Sequence, residues 1–170
     1  MALVGDISIR RLEVEDLASF KHLRLEALRL EPEAFASSLA DAERLSDAEW
    51  AARLTENAVF GAFAADDLIG MMALIPSPFR KMAHRATIGM VYLAAPARGG
   101  GVASALLQSL TAHARAESVR QLELMCSSEN AAAISFYRRE GFSEMGRIPG
   151  GYVHEGREID DLLMYRRIDR

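Results

Sequence analysis

Three consecutive glycines, Gly99–Gly101, stand between a predicted strand over 86–93 and a predicted helix over 101–117. The start of a helix carries unpaired backbone N–H groups and the positive end of the helix dipole. Because glycine has no side chain, an anionic group can approach these N–H groups closely. Arg98 adds a fixed positive charge directly before the glycines. The segment is therefore predicted to cradle a pyrophosphate group.

The spacing of the glycines separates several phosphate-binding motifs. A Walker loop needs Gly-x4-Gly-Lys-Ser/Thr, which is not found here, and in the Rossmann pattern Gly99 and Gly101 fit but Ser104 stands at the third glycine position. The pattern Arg/Gln-x-x-Gly-x-Gly/Ala is matched by Arg98, Gly101 and Ala103. This segment resembles the GCN5-related N-acetyltransferase (GNAT) superfamily, which holds the pyrophosphate of acetyl-CoA at this loop. The alternative is a plain glycine-rich turn between a strand and a helix.

A second segment, from Asn130 to Phe142, resembles the superfamily pattern Asn-x-x-Ala-x-x-x-Tyr-x-x-x-Gly-Phe at every fixed position. Seven residues of helix turn through about 700°, so Asn130 and Tyr137 share a face roughly 10 Å apart. One extended cofactor arm could meet both, with the amide on the pantetheine and the phenol near the thiol. The alternatives are an ordinary N-cap for Asn130 and a core aromatic for Tyr137.

The resemblance implies acetyl-CoA as cosubstrate, no metal, and a pantetheine arm that contacts the backbone of the strand before the glycines. The residues it assigns to cofactor binding are Val91, Tyr92, Leu93, Arg98, Gly99, Gly100, Gly101, Val102, Ala103, Ser104, Asn130 and Tyr137. It also places a carbonyl-polarising backbone N–H near Leu93. Transfer to an amine benefits from a proton for the departing thiolate, and Tyr137 is the predicted catalytic residue for that step.

The general base is not identified by the sequence. Thr87 and Met125 occupy the two positions at which superfamily members carry a glutamate. Glu123 and His84 lie nearby, and a chain of water molecules to bulk solvent is the alternative to a side-chain base. Cys126 could carry the acyl group in a ping-pong reaction if its thiolate were activated. The preferred interpretation of Cys126 is a small buried hydrophobic residue, and direct transfer is expected.

The acceptor is predicted only as a class. Between residues 31 and 56, seven acidic side chains outnumber two arginines, and an acidic rim would concentrate a small cationic amine or a peptide N-terminus. The alternative is that these are solvated helix faces. Gly150–Tyr152 and Asp160–Asp161 are expected to shape the far wall of the acceptor site. The acidic residues are Glu31, Glu33, Asp41, Glu43, Asp47, Glu49 and Glu56.

Two other classes of function stay open. A non-catalytic acyl-CoA sensor on the same fold would keep the cradle and need no base, which suits Thr87 and Met125. A different nucleotide binder could use the glycine turn alone.

Composition bounds the remaining possibilities. The 170 residues are 50% apolar and 26% charged, with a net charge of −4, which disfavours nucleic-acid and anionic-membrane partners. A single cysteine excludes an internal disulfide. No secretory signal and no apolar run of about 20 residues is visible, so a cytoplasmic protein with one domain over residues 1–170 is expected. The oligomeric state is not determined, and a homodimer is compatible with the sequence.

The elements that must position these residues follow from hydrophobic periodicity and capping signals. Asp16 is expected to cap the first helix, Ser46 and Glu49 to form a capping box, and Gly141 to end a helix in the left-handed conformation. The mixed order indicates an α/β (α+β) fold around one sheet. The resemblance implies a mostly antiparallel sheet with splayed parallel central strands and about four helices. Predicted strands cover 7–10, 58–64, 68–75, 86–93, 121–126 and 159–166; predicted helices cover 17–30, a segment after Ser46, 101–117 and 130–140.

Overall fold

The computed structural model describes residues 7–169, which form helices on both faces of one seven-stranded sheet. The strand order is β1-β2-β3-β4-β5-β7-β6, and every neighbouring pair is antiparallel except β4 and β5, which are parallel. The predicted mixed, mostly antiparallel sheet is therefore confirmed. The strands are β1 (Ile7–Arg11), β2 (Ala58–Ala64), β3 (Asp67–Pro76), β4 (Arg85–Leu93), β5 (Gln121–Ser127), β6 (Ser143–His154) and β7 (Arg157–Arg167).

Within residues 7–169, five α-helices cover the two faces of the sheet. Alternate residues of β2 enter different clusters: Phe60 packs with residues of α4 and α5, whereas Val59 packs with residues of α1 to α3. Helix α2 is a short helix that the sequence patterns did not predict. No helix within residues 7–169 combines the length and the apolar character needed to cross a membrane. The helices are α1 (Leu17–Leu30), α2 (Leu39–Glu43), α3 (Asp47–Glu56), α4 (Val102–Ala116) and α5 (Ala131–Arg139).

All three predicted capping residues lie at helix ends, and one of them, Asp16, makes no capping hydrogen bond with its side chain. The Ser46 hydroxyl accepts from the Glu49 N–H, and the Glu49 carboxylate accepts from the Ser46 N–H at 2.8 Å, which completes the capping box of α3. Gly141 follows α5 with φ +85°. Asp16 occupies the predicted N-cap position of α1, but its carboxylate makes no hydrogen bond to the helix, because Arg10 donates to it twice at 2.7 Å and the Glu13 N–H donates to it at 2.9 Å.

Strand β6 is absent from the sequence-based prediction, which places only one strand after α5. Its first seven residues are exposed, and it contains Pro149, Gly150 and Gly151. Proline cannot donate to a ladder and is confined largely to edge strands, which is the place of β6. The β6–β7 turn has positive φ at Glu155 and Gly156, as a tight hairpin turn requires.

The two parallel strands at the centre of the sheet are paired only at their beginnings. The register runs from Arg85–Gln121 to Thr87–Glu123, yet β4 continues to Leu93 and β5 to Ser127. A bidentate ion pair from Arg85 to Glu123, at 2.5 and 2.7 Å, lies at this short pairing. Beyond it the strands splay, as predicted, and each leaves an edge without a strand partner among residues 7–169.

Candidate active site

The splay opens into a cleft of about 540 Å³. Its lining includes Asn130 and Tyr137 from the α5 layer, and Arg24 and Arg53 from the α1–α3 layer on the other face. The cleft therefore reaches both helical layers through the gap between β4 and β5. Two groups that enter from opposite faces could meet inside it.

Strand β4 is distorted where it borders the cleft. Met71 pairs with Tyr92 while Ala73 pairs with Gly89, so β4 carries one extra residue between these pairs, and Met90 has φ +49°. A positive φ is uncommon outside glycine and costs on the order of 1–3 kcal/mol when it is held in place. Such bulges occur often beside active sites, where they redirect the backbone.

The glycine turn after β4 presents a run of free donors. Gly99 and Gly101 have φ of +80° and +81°, conformations that favour glycine. No side chain caps α4. Within the described part of the chain, none of the six N–H groups from Gly99 to Ser104 has a hydrogen-bond acceptor. A Cβ on any of the three glycines would meet nothing within 4 Å, so the surface of this turn is open to a ligand.

Arg98 braces this turn. Its Nε donates to the Leu93 carbonyl at 3.0 Å, its Nη2 donates to Glu31 at 2.9 Å, and its guanidinium lies 5.7 Å from the ring centre of Tyr92. The charge of Arg98 is thus shared with a carboxylate, and its bonds fix the path of the chain from β4 into the turn.

The three strand residues assigned to the cofactor by resemblance occupy different surroundings. Val91 lines the cleft. The Tyr92 hydroxyl donates to Glu26 at 3.0 Å, and burial together with this bond raises the pKa of Tyr92 to about 12. Tyr92 and Leu93 do not line the cleft, so we expect their predicted contacts to come from the backbone.

Helix α5 brings Asn130 and Tyr137 to one cleft, as their spacing predicts. Asn130 is the N-cap of α5, and its Oδ1 accepts from the Ala133 N–H at 3.0 Å, which leaves its NH₂ group for another partner. The Tyr137 ring is 5% exposed and packs edge-on against Phe136 and Phe142. Its hydroxyl has no hydrogen-bond partner among residues 7–169, and burial raises its pKa far above the ordinary value. The hydroxyl therefore keeps its proton and is free to donate it.

The residues considered for the general base lie partly in the cleft and partly outside it. Thr87 and Met125, which occupy the two positions at which superfamily members carry a glutamate, both line the cleft. Neither side chain can act as a general base, so these positions supply none. Glu123 is held by Arg85, whose hydrogen bonds lower the pKa of that carboxylate. His84 is not among the lining residues, and its carbonyl accepts from Arg120 and Gln121.

Asp161, on β7, is the only carboxylate among the described lining residues. Burial raises its pKa, and within residues 7–169 it forms no ion pair. Asp161 is expected from its sequence position to lie on the wall of the acceptor site, without a chemical role. Tyr152 of β6 also lines the cleft, and its hydroxyl donates to the Glu33 carbonyl.

Cys126 lines the cleft and is half-buried. Burial, with the charges of Asp161 and Glu144, raises the pKa of its thiol to about 11. A thiol with this pKa is protonated near neutral pH and is a poor nucleophile. The chemistry of Cys126 therefore favours direct transfer.

Two arginines that the sequence analysis did not single out also line the cleft. Arg24 is 7% exposed, and its Nη1 is buried without a hydrogen-bond partner; the Nε of Arg53 is in the same situation. Burial, and then the charge of Arg53, lowers the pKa of Arg24 to about 10. The signal that could have found Arg24 is its place among the buried apolar residues of α1, such as Phe20 and Leu28.

The acidic residues between 31 and 56 do not form a rim on this cleft. Glu31 pairs with Arg98, Asp47 with Lys21, and Glu49 caps α3. None of the seven lines the cleft, although neighbouring Phe35 and Ser37 do. The expected acidic entrance is thus not formed at this site. Within residues 7–169, no three side chains of the His, Cys, Asp and Glu types are grouped to hold a metal ion.

The splayed parallel pair, the bulge of β4 and the turn with free backbone donors at the start of α4 together make up the candidate site. The chain belongs to the acetyltransferase (GNAT) family, which it matches over residues 21–142.

Individual relatives agree with this assignment. The L-methionine sulfoximine/L-methionine sulfone acetyltransferase of Pseudomonas aeruginosa is 35% identical over 79 residues, 46% of each chain, so this chain matches about half the length of the curated relative. The crystal structure of a ribosomal-protein-alanine N-acetyltransferase from Brucella melitensis superposes with a TM-score of 0.80 at 27% identity, covering 94% of this chain and 99% of that one. A phosphinothricin acetyltransferase from Sinorhizobium meliloti, solved with acetyl-CoA, has the same fold, with a TM-score of 0.81 at 24% identity over 95% of this chain and 88% of that one.

Proposed function

We propose that this protein is an N-acetyltransferase that moves the acetyl group of acetyl-CoA directly to a primary amine. The observation that carries the proposal is the cleft between β4 and β5, which has Tyr137 and Asn130 on its wall and is lined by strand β4, the strand that leads into a turn with six free N–H groups. The names of the relatives support the reaction class, because all three are acetyltransferases.

The residues present fit acetyl-CoA. The open space over Gly99–Gly101 and the free N–H groups suit a diphosphate. The unpaired edges of β4 and β5 suit the amides of a pantetheine arm, which would lie as a strand between them. The NH₂ group of Asn130 is a further donor to that arm. Acetyl-CoA supplies the activated acetyl thioester; the chain's own groups hold it and handle protons.

Tyr137 is proposed to donate its proton to the departing thiolate. This residue lines the cleft, and its hydroxyl is not committed to another acceptor within residues 7–169 and stays protonated because burial raises its pKa. A general acid placed at a leaving group contributes typically about 10²–10⁴-fold. The backbone N–H near Leu93 is retained as the proposed group that polarises the thioester carbonyl.

Binding and turnover test the proposal separately. Isothermal titration should show acetyl-CoA binding in the micromolar range or tighter, with ATP and NAD unable to displace it. A thiol reagent should then detect free CoA release when primary amines are added. No binding at millimolar acetyl-CoA, or displacement by NAD, would contradict the cofactor assignment. Binding without CoA release across a broad amine panel would instead indicate the acyl-CoA sensor.

Asp161 is proposed to take the proton of the incoming ammonium group, since it is the only described carboxylate in the cleft. Asp161→Asn should lower kcat/KM about tenfold at pH 7, less than is typical for a general base, because water in an open cleft can also accept the proton. The raised pKa of Asp161 means that the wild-type rate falls as pH drops through that raised value. The difference between wild type and Asp161→Asn should shrink toward high pH, where the free amine is abundant.

The matched control for this prediction is Asp160→Asn. Asp160 accepts from the Gly150 N–H at 2.9 Å and does not line the cleft, so its replacement should leave the pH profile unchanged. Equal pH–rate profiles for wild type and Asp161→Asn would show that Asp161 does not accept the proton of the ammonium group.

A further inference from the structure

We propose that Arg24 and Arg53 form a carboxylate-binding subsite in the acceptor half of the cleft, so that the acceptor is a small amine that also carries a carboxylate, such as an amino acid. The proposal rests on the proposed N-acetyltransferase function and names its substrate class.

The first observation is that each guanidinium group has a buried nitrogen without a partner. Arg24 Nη1 and Arg53 Nε have no hydrogen-bond acceptor, and among residues 7–169 neither arginine forms an ion pair. Buried charges are ordinarily paired, because taking an ion out of water is costly. Two like charges close enough to lower the pKa of Arg24 make this arrangement still less favourable. An anionic ligand in the cleft would offset the positive charge of both arginines.

The second observation is that aromatic rings hold the two guanidinium groups at the cleft. The Arg24 guanidinium lies 4.4 Å from the ring centre of Phe35, and that of Arg53 lies 5.6 Å from the ring centre of Trp50. Stacking on a ring restrains a guanidinium without using its hydrogen-bond donors. The donors of a planar guanidinium match the two oxygens of a carboxylate.

The third observation is that Arg53 is separated along the sheet from the turn proposed to hold the phosphates of the cofactor. Asn57, which precedes β2, and Thr87 lie at the same end of the sheet, because Ala58 pairs with Leu74 and Thr87 with Ile75. The glycine turn follows Leu93 at the opposite end of β4. Arg53 is one helical turn from Asn57, and its carbonyl accepts from the Asn57 amide at 2.9 Å. Arg53 therefore lies near the start of β4, at the opposite end of the strand from the proposed pyrophosphate cradle.

The charges of the cleft complete the assignment. Its described lining carries two arginines and one carboxylate, Asp161. An amino acid has one carboxylate for the arginine pair and one ammonium group for Asp161. A simple cationic amine would instead meet two unpaired positive charges, which disfavours it.

The subsite is tested with sets of three acceptors: an amino acid, its amide, and the amine that lacks the carboxyl group. For leucine these are leucine, leucinamide and 3-methylbutylamine, and equivalent sets are used for other amino acids. We expect kcat/KM for the acid to exceed that for its amide at least tenfold in the wild type. Arg24→Met and Arg53→Met should each lower kcat/KM for the acid about ten- to hundredfold, the range for one charge-assisted hydrogen bond, and leave the amide and amine within about twofold. Arg29→Met, an exposed residue of α1 outside the cleft, is the control.

The melting temperature distinguishes the proposed role of Arg24 from a purely structural one, because loss of a structural arginine would lower it. Arg24→Met removes a buried unpaired charge and keeps an apolar side chain on Phe35, so its melting temperature should rise. A fall in melting temperature with equal losses on acid, amide and amine would overturn the subsite. Amides that react as well as acids would also overturn it and would indicate a peptide N-terminus.

Failure of the proposed function is distinguished by a binding measurement. If acetyl-CoA binds but no acceptor releases CoA, N-acetyl-leucine and its amide are titrated into the complex with CoA. A preference for the acid that is lost in Arg24→Met would uphold the subsite without catalysis, and equal binding of acid and amide would overturn it.

Discussion

Gly101→Glu should weaken acetyl-CoA binding at least 10³-fold while the fold is retained, because the new carboxylate would stand among the free N–H groups that are proposed to hold a diphosphate. Two charges about 4 Å apart near a protein surface interact by about 4 kcal/mol, which corresponds to roughly a thousandfold change in affinity. The side chain itself has room, since a Cβ at Gly101 meets nothing within 4 Å. Isothermal titration measures the affinity, and circular dichroism checks the fold.

The control is Gly101→Gln, which adds a side chain of the same size without the charge. Both variants place a side chain on a residue with φ +81°, which costs on the order of 1–2 kcal/mol for an L-residue. That strain, not crowding, is the structural cost of the substitution, because the backbone at Gly101 is open. The Gly101→Gln variant should therefore lose much less affinity than the Gly101→Glu variant. A folded Gly101→Glu protein with wild-type affinity would remove the cradle from this turn.

Tyr137→Phe should lower kcat about 10²-fold with little change in KM for acetyl-CoA. Phenylalanine keeps the ring contacts with Phe136 and Phe142 and deletes only the hydroxyl. A thiolate is already a fair leaving group, so the loss should fall at the low end of the range of about 10²–10⁴ for general acids. An interaction made mainly in the transition state lowers turnover without lowering ground-state affinity. Steady-state kinetics at saturating amine provide both constants.

Tyr92→Phe is the matched control for the loss of a buried tyrosine hydroxyl. The Tyr92 hydroxyl bonds to Glu26 and does not line the cleft, so its removal should leave kcat near the wild-type value. If Tyr137→Phe retains full turnover, Tyr137 is a core aromatic and another group protonates the thiolate.

Local signals were enough for most of the fold. Helix α1 ends at Leu30, as predicted from Glu31-Pro32, because the residue before proline disfavours the helical conformation. Strand β2 has the predicted bounds because its apolar residues are bounded by turn signals. Strand β6 escaped prediction because its stability comes from pairing with β7, a tertiary contact that overrides the glycines and the proline in its sequence.

The candidate site also has a part that local sequence signals predict and a part that depends on tertiary contacts. The glycine turn and the face shared by Asn130 and Tyr137 follow from backbone geometry within one segment, so spacing alone predicts them. Arg24, Arg53 and Asp161 come from α1, α3 and β7 and meet only in the folded chain. Whether an arginine is paired or unpaired depends on its neighbours in space, and a sequence does not show these. For the same reason the sequence left open whether the acidic segment forms a rim or lies on solvated helix faces, and several of its charges are used for capping and ion pairs elsewhere.

The short pairing of β4 with β5 makes the sheet two half-sheets joined by a seam of three residue pairs and the Arg85–Glu123 bridge. Four strands lie on one side of the seam and three on the other. An extended arm inserted beyond Thr87 would continue the ladder on both sides and act as an eighth strand. The proposed cosubstrate would then be a part of the architecture as well as a reactant. After CoA leaves, the two half-sheets would again be joined only at the beginning of β4 and β5.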